Sequence, residues 1–103
     1  MSEVIHTPLG DDEKATYDLA AAKWGKKAQS DQAVEEMGEL IVALSHVWRR
    51  HKPLTTSSEE VAEEIADVVL VCRELMQIFD LENLVAVIMA EKLTRVRERL
   101  LHE

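Results

Sequence analysis

The chain has 103 residues, of which 47% are hydrophobic and 31% charged, and its 20 acidic and 12 basic side chains give a net charge of −8. That length and apolar content predict one globular domain over residues 1–103 and exclude intrinsic disorder, while the negative charge argues against nucleic acid or an anionic membrane surface as a partner. A single cysteine, Cys72, excludes an internal disulfide; with no signal-peptide pattern and no membrane-length apolar run in the sequence, a cytoplasmic protein is expected.

The first part of the chain is predicted to be an irregular arm followed by a helix. Residues 1–10 are punctuated by a proline and a glycine. Asp11 or Asp12 is expected to cap a helix that runs to about Lys23, because aspartate accepts hydrogen bonds from free N–H groups. Gly25 is expected to end it. With three glycines, two prolines and no strand-type alternation in the whole chain, the sequence predicts an all-α fold of four helices.

A second helix is predicted after a short link over residues 26–30, with Ser30 or Asp31 as its cap and Pro53 as its stop. Its apolar residues recur at intervals of three and four, and they are Val34, Met37, Ile41, Leu44 and Trp48. The stripe is wide enough to suggest burial on more than one side. Trp48 is therefore expected in the core or in a dimer interface.

A loop over residues 54–57 is predicted to lead into a third helix capped by Ser57 or Ser58. Its main stripe consists of Val61, Ile65, Val68, Cys72, Leu75 and Phe79. Cys72 is expected to be an inert core residue. A turn over residues 80–83 leads into the fourth helix, and connections this short favour antiparallel packing. Because such wide stripes cannot be covered within so short a chain, a second copy is expected to complete the helical bundle, as a homodimer or a dimer of dimers.

Carboxylates recur at three-residue spacing in the second and third helices. Glu36 and Glu39 share one helix face, and so do Glu64 and Asp67. If the two helices pack side by side, four carboxylates meet, which is costly unless a cation lies among them. Asp67 stands in a nearly unbroken apolar run, where aspartate is unfavourable, so a merely solvated face explains it poorly. Oxygen ligands of this kind predict a site for Mg²⁺, with Mn²⁺ as a substitute.

The same acidic residues form a two-part motif. The chain reads EEMGE at residues 35–39 and, 24 residues later, EIAD at residues 64–67. This arrangement resembles the MazG-like, all-α nucleoside triphosphate pyrophosphohydrolases, whose motif is EExxE followed by ExxD, and the resemblance covers roughly residues 22–100. It implies Mg²⁺-dependent hydrolysis between the α and β phosphates, giving a nucleoside monophosphate and pyrophosphate, and a role in clearing non-canonical or surplus nucleotides.

Two further groups border the motif. Glu35 is turned about 100° from Glu36 on a helix, and it is either a surface residue or an outer carboxylate that orients or deprotonates the attacking water. Lys92, Arg95 and Arg99 fall on one face of the fourth helix, which is either a solvated helix end or a clamp for phosphates. The family also has a lysine at the Lys92 position.

Trp24 and Gln29 precede the motif, within the part of the chain that the resemblance covers. Trp24 either packs on the core or stacks on a nucleotide base, and in the second case Gln29 reads the edge of the base. Other chemistries lack their signatures, because the sequence contains no P-loop, no GxGxxG, no nucleophilic triad arrangement and no histidines at metal-ligand spacing.

Three other interpretations stay open at the sequence level. One is a phosphoribosyl-ATP pyrophosphohydrolase of the same superfamily, which a substrate panel would distinguish. The second is a non-catalytic helical oligomerisation module whose acids only keep it soluble, and the third is a protein that binds a divalent cation without turnover. The sequence does not choose the base, the sugar, or dimer against tetramer.

Overall fold

The computed structural model describes the backbone of residues 6–49 and 54–102 and the side chains of residues 6–48 and 58–102. Within these ranges the chain forms four helices and no strand, so the all-α prediction is confirmed. The helices are α1 (Asp11–Trp24), α2 (Lys26–Arg49), α3 (Leu54–Ile78) and α4 (Glu82–His102). None of the described helices is both long and apolar enough to cross a membrane.

The break between α1 and α2 takes a single residue, so the predicted link over residues 26–30 is wrong. Gly25 adopts φ 89°, a conformation that favours glycine, and its N–H donates to the carbonyl of Ala21. The next helix then begins at once with Lys26. Ser30 lies inside α2, where its hydroxyl donates to the carbonyl of Lys26, so neither it nor the following aspartate is a cap.

The other predicted caps are also displaced. Gly10, not an aspartate, is the N-cap of α1, and the three acids that follow fill the first turn, where negative charge suits the helix dipole. The third helix starts at Leu54, so residues 54–57 are helical and neither Ser57 nor Ser58 is the cap. A preferred cap is worth only about 1 kcal/mol, which tertiary packing readily overrides. The predicted stop at Pro53 lies outside the described residues.

The second and third helices form an antiparallel hairpin, with α1 packed against both. Two small residues of α2, Ala33 and Ala43, are almost completely buried. Small side chains let helix axes approach closely, so the residues beside them can meet across the hairpin. The apolar core lies at the α1 end, where Leu9, Tyr17 and Ile78 are buried together.

A charged clamp fastens residues 6–10, which are non-helical, to the helices. The Arg73 guanidinium donates to both carboxylate oxygens of Glu13, at 2.6 and 2.8 Å, and to the carbonyls of Thr7 and Pro8. Hydrogen bonding to Arg73 lowers the pKa of Glu13 to about 2. From α4, Glu82 accepts a 2.6 Å hydrogen bond from the backbone N–H of Leu9. The remaining arm residues, 1–5, lie outside the described part.

The fourth helix extends away from the other three. Among the described helices its backbone packs closely on α3 alone, Glu82 also bonds to the arm, and none of its residues is buried. The radius of gyration is 16.5 Å, whereas a compact domain of this length has about 13 Å. The bundle is therefore not closed within one chain. Trp48 is 79% exposed and is not part of a core in the single chain, and Cys72 is half-buried, not fully enclosed.

Candidate metal centre

The antiparallel packing of α2 and α3 brings the two halves of the acidic motif together. Glu36 and Glu39 face Glu64 and Asp67 across the hairpin, and one carboxylate oxygen from each lies within 4.8 Å of the other three. Opposite ligands of an oxygen-coordinated ion are about 4.2 Å apart for a 2.1 Å bond and about 4.8 Å apart for a 2.4 Å bond. The four oxygens thus have the spacing of a ligand shell for a hard divalent cation.

These carboxylates lie in an environment that disfavours negative charge. Burial raises the pKa of Glu36, and the charges of Glu39, Asp67 and Glu64 raise it further. Burial also raises the pKa of Glu64, with Glu39 and Asp67 as the next causes. One oxygen of Glu36 and one of Glu64 are buried without a hydrogen-bond partner among the described residues. A bound cation would satisfy these oxygens and remove the repulsion.

A cavity of about 570 Å³ adjoins the carboxylate cluster along the same hairpin. It shares Glu39 and Glu64 with the cluster. The other residues that line it are Glu35, Gly38, Val42, Ala43 and Glu60. Glu35 is exposed and lines this cavity. It is not one of the four carboxylates that converge.

One side-chain pair at the far end of this hairpin was not identified from the sequence. His46 Nδ1 lies 3.3 Å from Glu60 Oε1. A signal for it does exist, because Glu39, Val42 and His46 fall on one face of α2 at i, i+3 and i+7, and Glu60 and Glu64 fall on one face of α3. Only the register of the hairpin shows that these two faces meet.

The basic face of the fourth helix does not form a wall with the α2 carboxylates. Lys92 and Arg95 are exposed on α4, and within the described part of the chain the α4 backbone stays more than 8 Å, Cα to Cα, from that of α2. Arg95 lines a separate cavity of about 350 Å³ with Thr94, Glu91 and Ala90. In a single chain, the basic face of α4 is therefore separated from Glu36 and Glu39, the two carboxylates of the cluster that lie on α2.

The two candidate nucleotide contacts before the motif have different environments. Trp24 is 60% exposed, with the ammonium of Lys23 at 5.4 Å from its ring centre, so its face is accessible to a ligand. Gln29 is only 3% exposed. With the amide oriented so that its nitrogen faces Glu74, Gln29 donates to both carboxylate oxygens of Glu74, at 2.6 and 2.8 Å. Burial raises the pKa of Glu74. Gln29 is thus engaged in the interior and is not presented to a nucleotide.

Comparison with protein-family models, with curated proteins and with solved structures finds no significant match. Two features of the chain bear on its function, the motif at residues 35–39 and 64–67 and the carboxylate cluster that four of its residues form.

Proposed function

We propose that this protein is a MazG-like nucleoside triphosphate pyrophosphohydrolase that uses Mg²⁺, with Mn²⁺ as a substitute. The observation that carries the proposal is the meeting of four motif carboxylates, Glu36, Glu39, Glu64 and Asp67, with their oxygens within 4.8 Å. Ionised together without a cation, they repel one another. The partnerless buried oxygens of Glu36 and Glu64 support a bound ion in the same place.

Each group of residues has a distinct task in this proposal. The four carboxylates would hold the cation, which would neutralise phosphate charge and lower the pKa of a water bound to it. Glu35, at the edge of the adjoining cavity, orients the attacking water and accepts its proton. The water oxygen bonds to the α-phosphorus, and the bond from that phosphorus to the bridging oxygen breaks. The products are the monophosphate and pyrophosphate, and positioning with electrostatic stabilisation supplies most of the catalysis.

The basic face of α4 would meet the phosphates. Lys92, with Arg95 beside it, offers charge to the leaving pyrophosphate. Because α4 lies apart from α2 in one chain and leaves apolar surface uncovered, we also propose a homodimer or a dimer of dimers as the working form. Its place would be the cytoplasm, where the nucleotide pool that it clears is found.

The proposal is tested by measuring Mg²⁺-dependent pyrophosphate release from all canonical and several damaged nucleoside triphosphates. We expect release with Mg²⁺ and none with excess chelator, and a Glu39→Gln control should be nearly inactive because a metal ligand is lost. Phosphoribosyl-ATP belongs in the same panel. No turnover of any nucleotide, or full activity in Glu39→Gln, would contradict the enzyme assignment.

A further inference from the structure

The residues that line the cavity beside the carboxylate cluster make it unfavourable for phosphate groups. Four of its seven lining residues are glutamates, and the other three are Gly38, Val42 and Ala43. Away from a bound cation, such a wall repels a pyrophosphate group. A neutral group with hydrogen-bond donors and an apolar face is compatible with it, and a volume of about 570 Å³ is within the range of small-ligand sites.

Gly38 is an unusual residue for its position. It stands in the middle of α2, where glycine costs about 0.5–1 kcal/mol relative to alanine. Crowding within the chain does not require it, because a Cβ built there would meet nothing within 4 Å. The backbone at Gly38 instead lines the cavity. Glycine at such a place is typical of close approach between backbone and a bound group.

The far end of the same hairpin carries the polar pair described above. Seven residues separate Glu39 from His46, which is about 10 Å along a helix. A carboxylate only accepts hydrogen bonds, so Glu60 holds the His46 ring through Nδ1–H, and its other oxygen can accept from a ligand. The lining of the cavity therefore extends from Glu39 and Glu64 of the carboxylate cluster to Glu60, whose carboxylate is held by His46.

We propose that this cavity holds the nucleoside part of the substrate, with the sugar or base lying against Gly38 and donating a hydrogen bond to Glu60. The inference rests on the proposed function, since the phosphates are placed by the carboxylate cluster at the other end. The donor on the ligand is either a sugar hydroxyl or the exocyclic amine of a base. His46 acts as a positioning residue for Glu60.

The test compares two ligands by calorimetry in the presence of Mg²⁺. One is a nucleoside triphosphate with a methylene group in place of the α,β-bridging oxygen, in cytidine and uridine forms, and the other is inorganic tripolyphosphate. The variants are Gly38→Ala and Glu60→Ala, with Glu59→Ala as a matched control outside the cavity. We expect each cavity variant to bind the nucleotide analogue roughly tenfold or more weakly and to bind tripolyphosphate no more weakly than the wild type does. Glu59→Ala should resemble the wild type with both ligands.

The outcomes separate this inference from the proposed function. A loss in Glu60→Ala confined to the cytidine form assigns the donor to the exocyclic amine of the base, and an equal loss with both forms assigns it to the sugar, whose hydroxyls both forms share. Either result supports the proposal. If the cavity variants weaken both ligands equally, weaken neither, or change only the oligomeric state, the nucleoside lies elsewhere, although wild-type hydrolysis would still support the enzyme. A wild type that binds neither ligand and releases no pyrophosphate would contradict both this inference and the proposed function.

Discussion

At the scale of single residues, Glu36 and Glu64 show how the carboxylate cluster lowers the stability of the fold when its members are ionised without a cation. Burial and neighbouring carboxylates raise the pKa of both groups, so the folded protein holds their protons at pH values where the unfolded chain has released them. Stability contributed by such a group is therefore lost as pH rises above the ordinary value of 4.5. This is the opposite of Glu13, whose lowered pKa makes its contribution disappear as pH falls toward about 2.

We predict that Glu64→Gln melts at a higher temperature than the wild type in chelator at neutral pH. The substitution removes one repelling charge, and its advantage should shrink as pH falls toward 4.5, because the wild-type carboxyl then takes up a proton. Mg²⁺ should reverse the order, since it stabilises only a complete ligand set. Thermal melts of both proteins across this pH range, with chelator and with Mg²⁺, provide the measurement. Identical wild-type melts with chelator and excess Mg²⁺ would argue against a metal site.

A second prediction at this scale separates the acidic and basic groups. In the proposed enzyme, Glu39→Gln would remove a metal ligand, so its severe loss of activity should be partly recovered by high Mg²⁺ or Mn²⁺. Lys92→Ala would remove a charge proposed to meet phosphate directly and should lower turnover by roughly 10²–10³, with no recovery by metal. Glu35→Gln should lower turnover while Mg²⁺ affinity stays near normal. Turnover as a function of Mg²⁺ for all three decides this, and equal rescue of Lys92→Ala and Glu39→Gln would contradict separate roles.

At the scale of the elements, the Arg73 clamp explains how the arm and α1 are held to α3. The Arg73 side chain is 16% exposed and that of Glu13 is 26% exposed, so the pair is shielded on most sides. We predict that Arg73→Met lowers the free energy of unfolding by about 2–3 kcal/mol, because Glu13 loses its charged donor and keeps the hydrogen bond from the Tyr17 hydroxyl, and two carbonyls lose the donor that Arg73 supplies.

Lys27→Ala is the matched control for the clamp. Its partner Asp31 lies at i+4 on an exposed helix face, and the two side chains are 88% and 66% exposed, so the change should be within about 0.5 kcal/mol. Denaturant unfolding of both variants gives the comparison. Equal, small effects of the two substitutions would show that the Arg73 network does not stabilise the fold.

The elements also show what could be predicted from the sequence. The helix types, and the placing of Glu36 with Glu39 and of Glu64 with Asp67 on one helix face, follow from periodicities of three and four, which depend only on local helix geometry. That the two pairs meet requires the further assumption that the second and third helices pack side by side. Gly25 ends α1 as predicted, whereas the predicted N-caps were wrong because a cap is worth little beside packing. Neither the Gln29–Glu74 pair nor the His46–Glu60 pair could be found, because each joins residues from different helices and depends on the register of the hairpin.

At the scale of the whole molecule, α4 is the helix that leaves apolar surface uncovered in a single chain. Its apolar residues Leu84, Val87, Leu100 and Leu101 are more than half exposed, and on α2 the same is true of Ile41. Isolated exposed residues are ordinary, but a helix without one buried residue gains little from packing. Its regular amphipathic sequence is explained if another surface covers it.

We therefore predict that the protein sediments as a dimer or tetramer at micromolar concentration and that its melting temperature rises with concentration, as expected when folding and assembly are linked. Val87→Glu places a charge on the uncovered α4 face and should shift the protein toward smaller species and lower the melting temperature. Glu98→Ala, at an exposed polar position of the same helix, is the control and should leave both unchanged. A stable species of 11.7 kDa whose melting temperature is independent of concentration would show that α4 needs no second copy, and the basic face of α4 would then have to reach substrate from its own chain.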